Sequence, residues 1–178
     1  SATVINAIST GKGSAFGIEL YVTANVTILP EKTAKDIESV CKSLDKPDMD
    51  TTLMHLCVKK VYEKLIEYPD FNLKNVVVNV ETKSDIPPGS GLSSSSAASN
   101  SVVYATLLTL LEAEGMSLED TDITDEDIKT INDATEWCSA DNGYFRGGGY
   151  SSRFVTDCEM PATMIRLNLV DGLGPVLQ

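Results

Sequence analysis

Between Thr51 and Glu67 the apolar residues Leu53, Leu56, Cys57, Val61, Leu65 and Ile66 recur near helical spacing, with lysines and glutamates filling the other face. That pattern predicts an amphipathic helix over 51–67. KNVVVNVET at 74–82 is short, β-branched and bounded by Pro69 and Asp70 upstream and by Pro87 and Pro88 downstream, so it predicts a strand. Upstream, 3–8 and 16–29 carry apolar and β-branched residues around the turn-rich piece STGKGSA, which predicts a hairpin-like pair of strands. From Ser94 through Glu114 alanine and leucine dominate, with apolar positions at helical spacing, and a buried helix is expected to begin inside a serine run.

Other stretches are less regular. Lys32 to Lys46 is polar with a weak apolar stripe and reads as a surface helix or a loop. SLEDTDITDED at 117–127 is acidic and reads as a solvated loop entering a helix capped by Thr124 or Asp125, with no metal site invoked. Trp137 to Ser152 is glycine-rich and aromatic, and the short apolar pieces RFVT and MIRLNLV follow it.

The 178 residues are enough for one domain, or for one domain plus part of another. A net charge of −12 opposes nonspecific attraction to nucleic acid or anionic lipid, so neither is expected as a partner. No apolar run is long enough to span a bilayer and no secretory leader opens the sequence, so a soluble, cytoplasmic protein is expected. Cys41, Cys57, Cys138 and Cys158 are widely spaced without a CxxC pair and read as buried free thiols. His55, the single histidine, falls in the helical pattern and reads as structural.

One stretch changes this picture. Pro87-Pro88-Gly89-Ser90-Gly91-Leu92-Ser93-Ser94-Ser95-Ser96 stands between the strand expected at 74–82 and the helix expected from Ser94. Glycines there let the backbone approach a ligand, and the start of a helix leaves N–H groups unpaired and aimed outward. The helix dipole and the serine hydroxyls add to the attraction for an anion, and a nucleotide triphosphate fits these demands. The competing reading is a glycine-serine linker or a plain helix cap. A Walker loop is excluded, because no lysine follows the second glycine.

Residues 87–97 resemble the second motif of the GHMP family of small-molecule kinases, approximately P-x-x-x-G-L-x-S-S-x-A. The long serine run, together with TVINAISTGKGSAFGIEL at 3–20, is similar to the archaeal type of shikimate kinase within that family. The resemblance covers roughly residues 1–116. It implies an α+β, two-layer fold in which a mixed sheet packs against helices. It also implies an ATP-binding domain over 1–150, with 151–178 as the start of a divergent or truncated second domain that is largely missing.

What the resemblance implies for function is an ATP- and Mg2+-dependent kinase that phosphorylates shikimate or a similar small hydroxy acid. Pro88, Gly89, Ser90, Gly91, Leu92, Ser93, Ser94, Ser95 and Ser96 would cradle the phosphates, and Ser95 would be the metal ligand. Lys12 would offset developing charge, since phosphoryl transfer is catalysed mainly by positioning and electrostatics. Asp141 would orient the substrate hydroxyl.

The family pattern also leads to the expectation of paired aspartates ahead of an aromatic-glycine stretch. WCSADNGYFRGGG supplies Asp141 followed by Asn142 instead, and 158–178 shows no third glycine-rich motif. Homoserine or mevalonate in place of shikimate, an inactive nucleotide-binding fragment, and an α+β domain whose serine run is only a helix cap are the alternatives. The oligomeric state is left open.

Overall fold

The computed structural model describes residues 2–5, 13–16, 18–30, 36–87, 90–92, 94–124, 127–128, 131, 164–169 and 173–177. The first strands, Ala2–Ile5 (β1) and Gly13–Phe16 (β2), pair antiparallel with Ala2 opposite Phe16. The pair expected from the sequence, 3–8 with 16–29, is corrected: β1 pairs with β2, and the strand that follows joins the other sheet. β2 lies in Gly-Ser-Ala-Phe, most of which reads as turn, because small residues carry no apolar alternation to announce it.

Val22–Pro30 (β3) follows, and then Ile37–Ser43 (β4). The surface helix or loop expected over Lys32–Lys46 is therefore corrected to a strand. The reason is visible in its burial, which alternates strictly along the strand. Its inward positions are Ile37, Ser39, Cys41 and Ser43, so small polar side chains stand where a β-branched stripe would have signalled a strand.

Thr52–Leu65 (α1) and Val76–Ser84 (β5) come next, close to their expected bounds. The order β3-β5-β4 puts β5 in the middle, antiparallel to β3 with Val26 opposite Val80 and parallel to β4 with Cys41 opposite Val80. Val76, Val78, Val80 and Thr82 of β5 point to the buried face. Ser94–Ala113 (α2) covers that face, lying against β3 and β5, while α1 packs beside it and reaches β4.

The two helices meet the sheet through stripes at three- and four-residue spacing. On α1 these are Met54, Cys57, Val58, Val61, Tyr62 and Leu65, and on α2 Ser99, Val102, Val103, Thr106, Leu107, Leu110 and Leu111. Fully burying a leucine such as Leu65, Leu107 or Leu110 contributes about 1.5–3 kcal/mol each. α1 starts with its Thr52 N–H donating to the Asp50 carboxylate at 2.8 Å. α2 ends at Gly115, whose φ of +70° lets Met116 N–H return to the Leu111 carbonyl at 2.9 Å.

After α2 a short 3-10 turn at Leu118–Asp120 leads to Thr124. There the Asp127 N–H donates to Thr124 Oγ1 at 3.2 Å and the Thr124 N–H donates to Asp127 Oδ2 at 2.9 Å. This reciprocal pair is the cap expected at Thr124. Met164–Leu169 (β6) and Leu173–Leu177 (β7) complete the first sheet in the order β1-β2-β6-β7. β6 runs parallel to β2, with Gly13 opposite Met164. The fold is α+β, with mixed sheets and helices packed on one of them.

Candidate functional site

The loop singled out from the sequence leaves β5 at Ser84. Ser84 Oγ accepts the Ile86 N–H at 3.1 Å, which turns the chain and buries Ile86. Ser90 Oγ donates to the Pro87 carbonyl at 2.8 Å, and Gly91 follows with φ +71°. A Cβ at Gly91 would meet nothing within 4 Å, so the backbone torsion alone calls for glycine there. α2 then begins at Ser94, one turn beyond Gly91.

Ser94 and Ser95 are half-buried, whereas Ser96 is buried and its hydroxyl has no hydrogen-bond partner. Lys46 stands beside the loop, its Nζ donating to the Ile86 carbonyl at 3.2 Å. The order strand, glycine turn, helix is thus the one expected. Pro88, Gly89, Ser93, Lys12 and Asp141 lie outside the described residues.

A second group of reactive side chains sits between β4 and α1. His55 Nδ1 lies 2.7 Å from Ser39 Oγ and 3.6 Å from Cys41 Sγ. Ser39 and Cys41 are two apart on one strand and so share a face, and the first half of α1 presents His55 to both. Burial pushes the Cys41 thiol up to about 11 and the Cys57 thiol up to about 12, and hydrogen bonds to serines offset only part of this. Both cysteines are free; Cys57 is buried as expected, whereas Cys41 is only half-buried. Cys57 Sγ contacts Ser99 Oγ of α2 at 3.8 Å. These contacts agree with the structural role expected of His55, and the sequence did not show them because Ser39 and Cys41 lie on the strand it disguised. No three His, Cys, Asp or Glu side chains converge on a metal position among the described residues. Among those residues no helix is long and apolar enough to cross a membrane.

Comparison with known proteins gives a different chemistry from the one the loop suggested. Residues 92–178 match the family model "L-fucose isomerase, C-terminal domain". The chain is 54% identical over 56 residues to an L-fucose isomerase of Clostridium perfringens, covering 32% of this chain and 9% of that protein. It is 53% identical over 70 residues to an L-fucose isomerase of Bacteroides thetaiotaomicron, covering 38% and 12% respectively. The chain therefore spans about a tenth of the length of the curated relatives it matches. Among solved structures it is similar to L. major mevalonate kinase in complex with R-mevalonate. That match has 16% identity, 76% of this chain, 37% of that one and a TM-score of 0.42, too loose a likeness to bear on activity.

These matches overturn the kinase expectation. The GHMP and shikimate kinase resemblance and the phosphotransferase activity are corrected. So are ATP and its Mg2+ as cofactors, the shikimate, homoserine and mevalonate substrates, and the nucleotide-binding fragment. The finding that overturns them is identity above one half to L-fucose isomerases, which are isomerases and not phosphotransferases. The physical reason for the misreading is that the loop motif is short and, apart from Pro87, Pro88 and Leu92, made of glycine, serine and alanine. Any buried helix entered through a tight turn favours the same residues, for capping and for the left-handed torsion at Gly91.

Proposed function

We propose that this chain carries part of a sugar isomerase of the L-fucose isomerase kind, with residues 92–178 as the segment that bears the relationship. The observation that carries the reading is the identity of 53–54% with L-fucose isomerases of separate genera over 56–70 residues. The substrate class is a small sugar, and L-fucose is the particular choice.

Interconverting an aldose and a ketose moves one hydrogen between adjacent carbons and shifts the carbonyl. It needs a group that takes and returns a proton, or a Lewis acid that polarises the oxygens. Asp141 lies within the matched segment, and we assign that proton transfer to its carboxylate. The neighbouring Tyr144 and Phe145 supply ring faces suited to the C–H side of a sugar. Lys12 and the N–H and hydroxyl groups of the loop from Gly89 to Ser96 are proposed as donors to substrate oxygens, with Pro88 fixing the entry of that loop, a role that needs no nucleotide.

The test is to incubate the full chain with L-fucose, with and without added divalent cations, and follow ketose signals by NMR. Conversion by the wild type that is lost in Asp141→Asn supports both the reading and the assignment. Conversion that survives in Asp141→Asn removes Asp141 from the chemistry. A folded chain that neither converts L-fucose nor binds it, read by saturation-transfer NMR, removes the reading.

A further inference from the structure

Strand β4 is an outer strand of β3-β5-β4 among the described residues, and its open edge carries a pattern that complements itself. We propose that two copies of this chain join edge to edge through β4, antiparallel about a twofold axis at Val40, so that their sheets become one. The backbone sets which groups are available. Leu44 N–H donates to the Thr82 carbonyl at 2.8 Å and the Asp36 carbonyl accepts the Val76 N–H at 3.2 Å, so the even-numbered residues of β4 turn their backbone groups toward β5. Successive residues of a strand turn theirs to opposite sides. The N–H and C=O groups of Ile37, Ser39, Cys41 and Ser43 therefore face outward, and no backbone or side-chain group among the described residues takes them.

Side chains on the uncovered face choose the register. Glu38, Val40 and Lys42 are all exposed, Val40 at 55%. With the axis at Val40, that residue faces its own copy, Glu38 stands opposite the copy's Lys42, and Lys42 stands opposite the copy's Glu38. An apolar pair is thus flanked by two opposite-charge pairs, a combination that stabilises neighbouring strands. In this register the three positions fall at non-hydrogen-bonded pairs, where facing side chains stand closest, and Ser39 exchanges backbone bonds with the copy's Cys41. Antiparallel pairing that keeps the outward groups facing each other shifts by two residues at a time. Either neighbouring register sets Val40 against a charge, Glu38 or Lys42.

Edge strands are ordinarily guarded by a proline, a bulge or an unmatched charge. β3, at the other margin of this sheet, ends on Pro30, which has no N–H to offer. β4 contains no proline and runs against β5 without a shift in register from Ile37 to Ser43. Lys42 is held on the uncovered face by Glu81, at 2.7 Å, and Glu38 has no ion pair among the described residues. In the joined sheet Lys42 bridges Glu81 of its own chain and the copy's Glu38, so the charge that guards an edge against other partners favours this one. The contact is one strand wide, which makes the dimer reversible and dependent on concentration.

The experiment is sedimentation of the full chain over a range of concentrations, under reducing conditions. A monomer–dimer equilibrium is expected. Glu38→Lys and Lys42→Glu, each alone, set like charges opposite each other twice, and each should weaken the dimer at least about tenfold. Mixed in equal amounts, the two variants should recover it as a dimer with one chain of each kind, because both facing pairs are again of opposite charge. A folded wild type that stays monomeric at every concentration would overturn the proposal, as would assembly that grows beyond the dimer. Wild-type dimerisation in Glu38→Lys, or a mixture that associates no better than its parts, would show that another face is used and overturn it equally. Should Lys42→Glu fail to fold for want of its bond to Glu81, Glu38→Lys and Val40→Asp, both at exposed positions, decide the matter: both must weaken the dimer.

Discussion

Lys64 Nζ lies 3.2 Å from Asp127 Oδ1, joining the last turn of α1 to the first turn of the helix that Thr124 caps. Lys64 lies outside the segment matched by the isomerase family and Asp127 lies inside it. The pair is one of several places where the two parts of the chain hold each other. Ser101 Oγ of α2 donates to the Val22 carbonyl of β3 at 2.8 Å, and β6 pairs with β2.

Asp127 makes this junction sensitive to acid. Hydrogen bonds from the Thr124 backbone N–H and hydroxyl, then Lys64, hold its carboxyl down to about 2. A carboxyl depressed on folding contributes stability that is present above its unfolded value of about 4 and is lost as pH falls through about 2. Asp127→Asn is therefore expected to be less stable than wild type at neutral pH. The two urea midpoints should converge in the most acidic buffers.

Ser96 and Thr106 carry buried hydroxyls with no partner. A buried polar group without a hydrogen bond is a cost, so removing it should not destabilise the fold. Ser96→Ala and Thr106→Val are each expected to leave stability unchanged or to raise it by up to about 1 kcal/mol in urea denaturation.

The core behaves differently. Leu107 and Leu110 are wholly enclosed between α2, α1 and the sheet. Leu110→Ala is expected to cost about 2–5 kcal/mol, read as a lowered urea midpoint at an unchanged slope.

Gly91 separates torsion from packing. With φ +71° and nothing within 4 Å of an added Cβ, Gly91→Ala meets no clash and pays only the left-handed torsion. A loss of about 1–2 kcal/mol is expected from the same denaturation series.

The regular elements were legible where side chains announced a period. α1, β5 and α2 were expected within a few residues of their bounds because Val61, Val78 or Leu107 and their neighbours recur at the spacing of their element. β4 was hidden because Ser39 and Ser43 occupy inward positions, and β2 because Gly13, Ser14 and Ala15 carry no apolar contrast. Missing β4 also concealed the partners of His55, since a contact from helix to strand across 14 residues has no local signature.

The glycine-serine loop was placed correctly between β5 and α2, yet its chemistry was misjudged. Backbone N–H groups at a helix start suit any anion and also serve a simple turn, so residues 87–97 alone do not specify a reaction. The isomerase relationship rests on identity spread over 56–70 residues, which no short motif within the chain would reveal.

The most direct measurement sets the two chemistries against each other on one preparation of the full chain. L-fucose is followed by NMR for binding and ketose formation, and in parallel ATP with Mg2+ and shikimate is followed for ADP. The account predicts that L-fucose is bound, with ketose formed where this part suffices for turnover, and that no shikimate-dependent ADP appears. ADP released on addition of shikimate, with L-fucose neither bound nor changed, would contradict it.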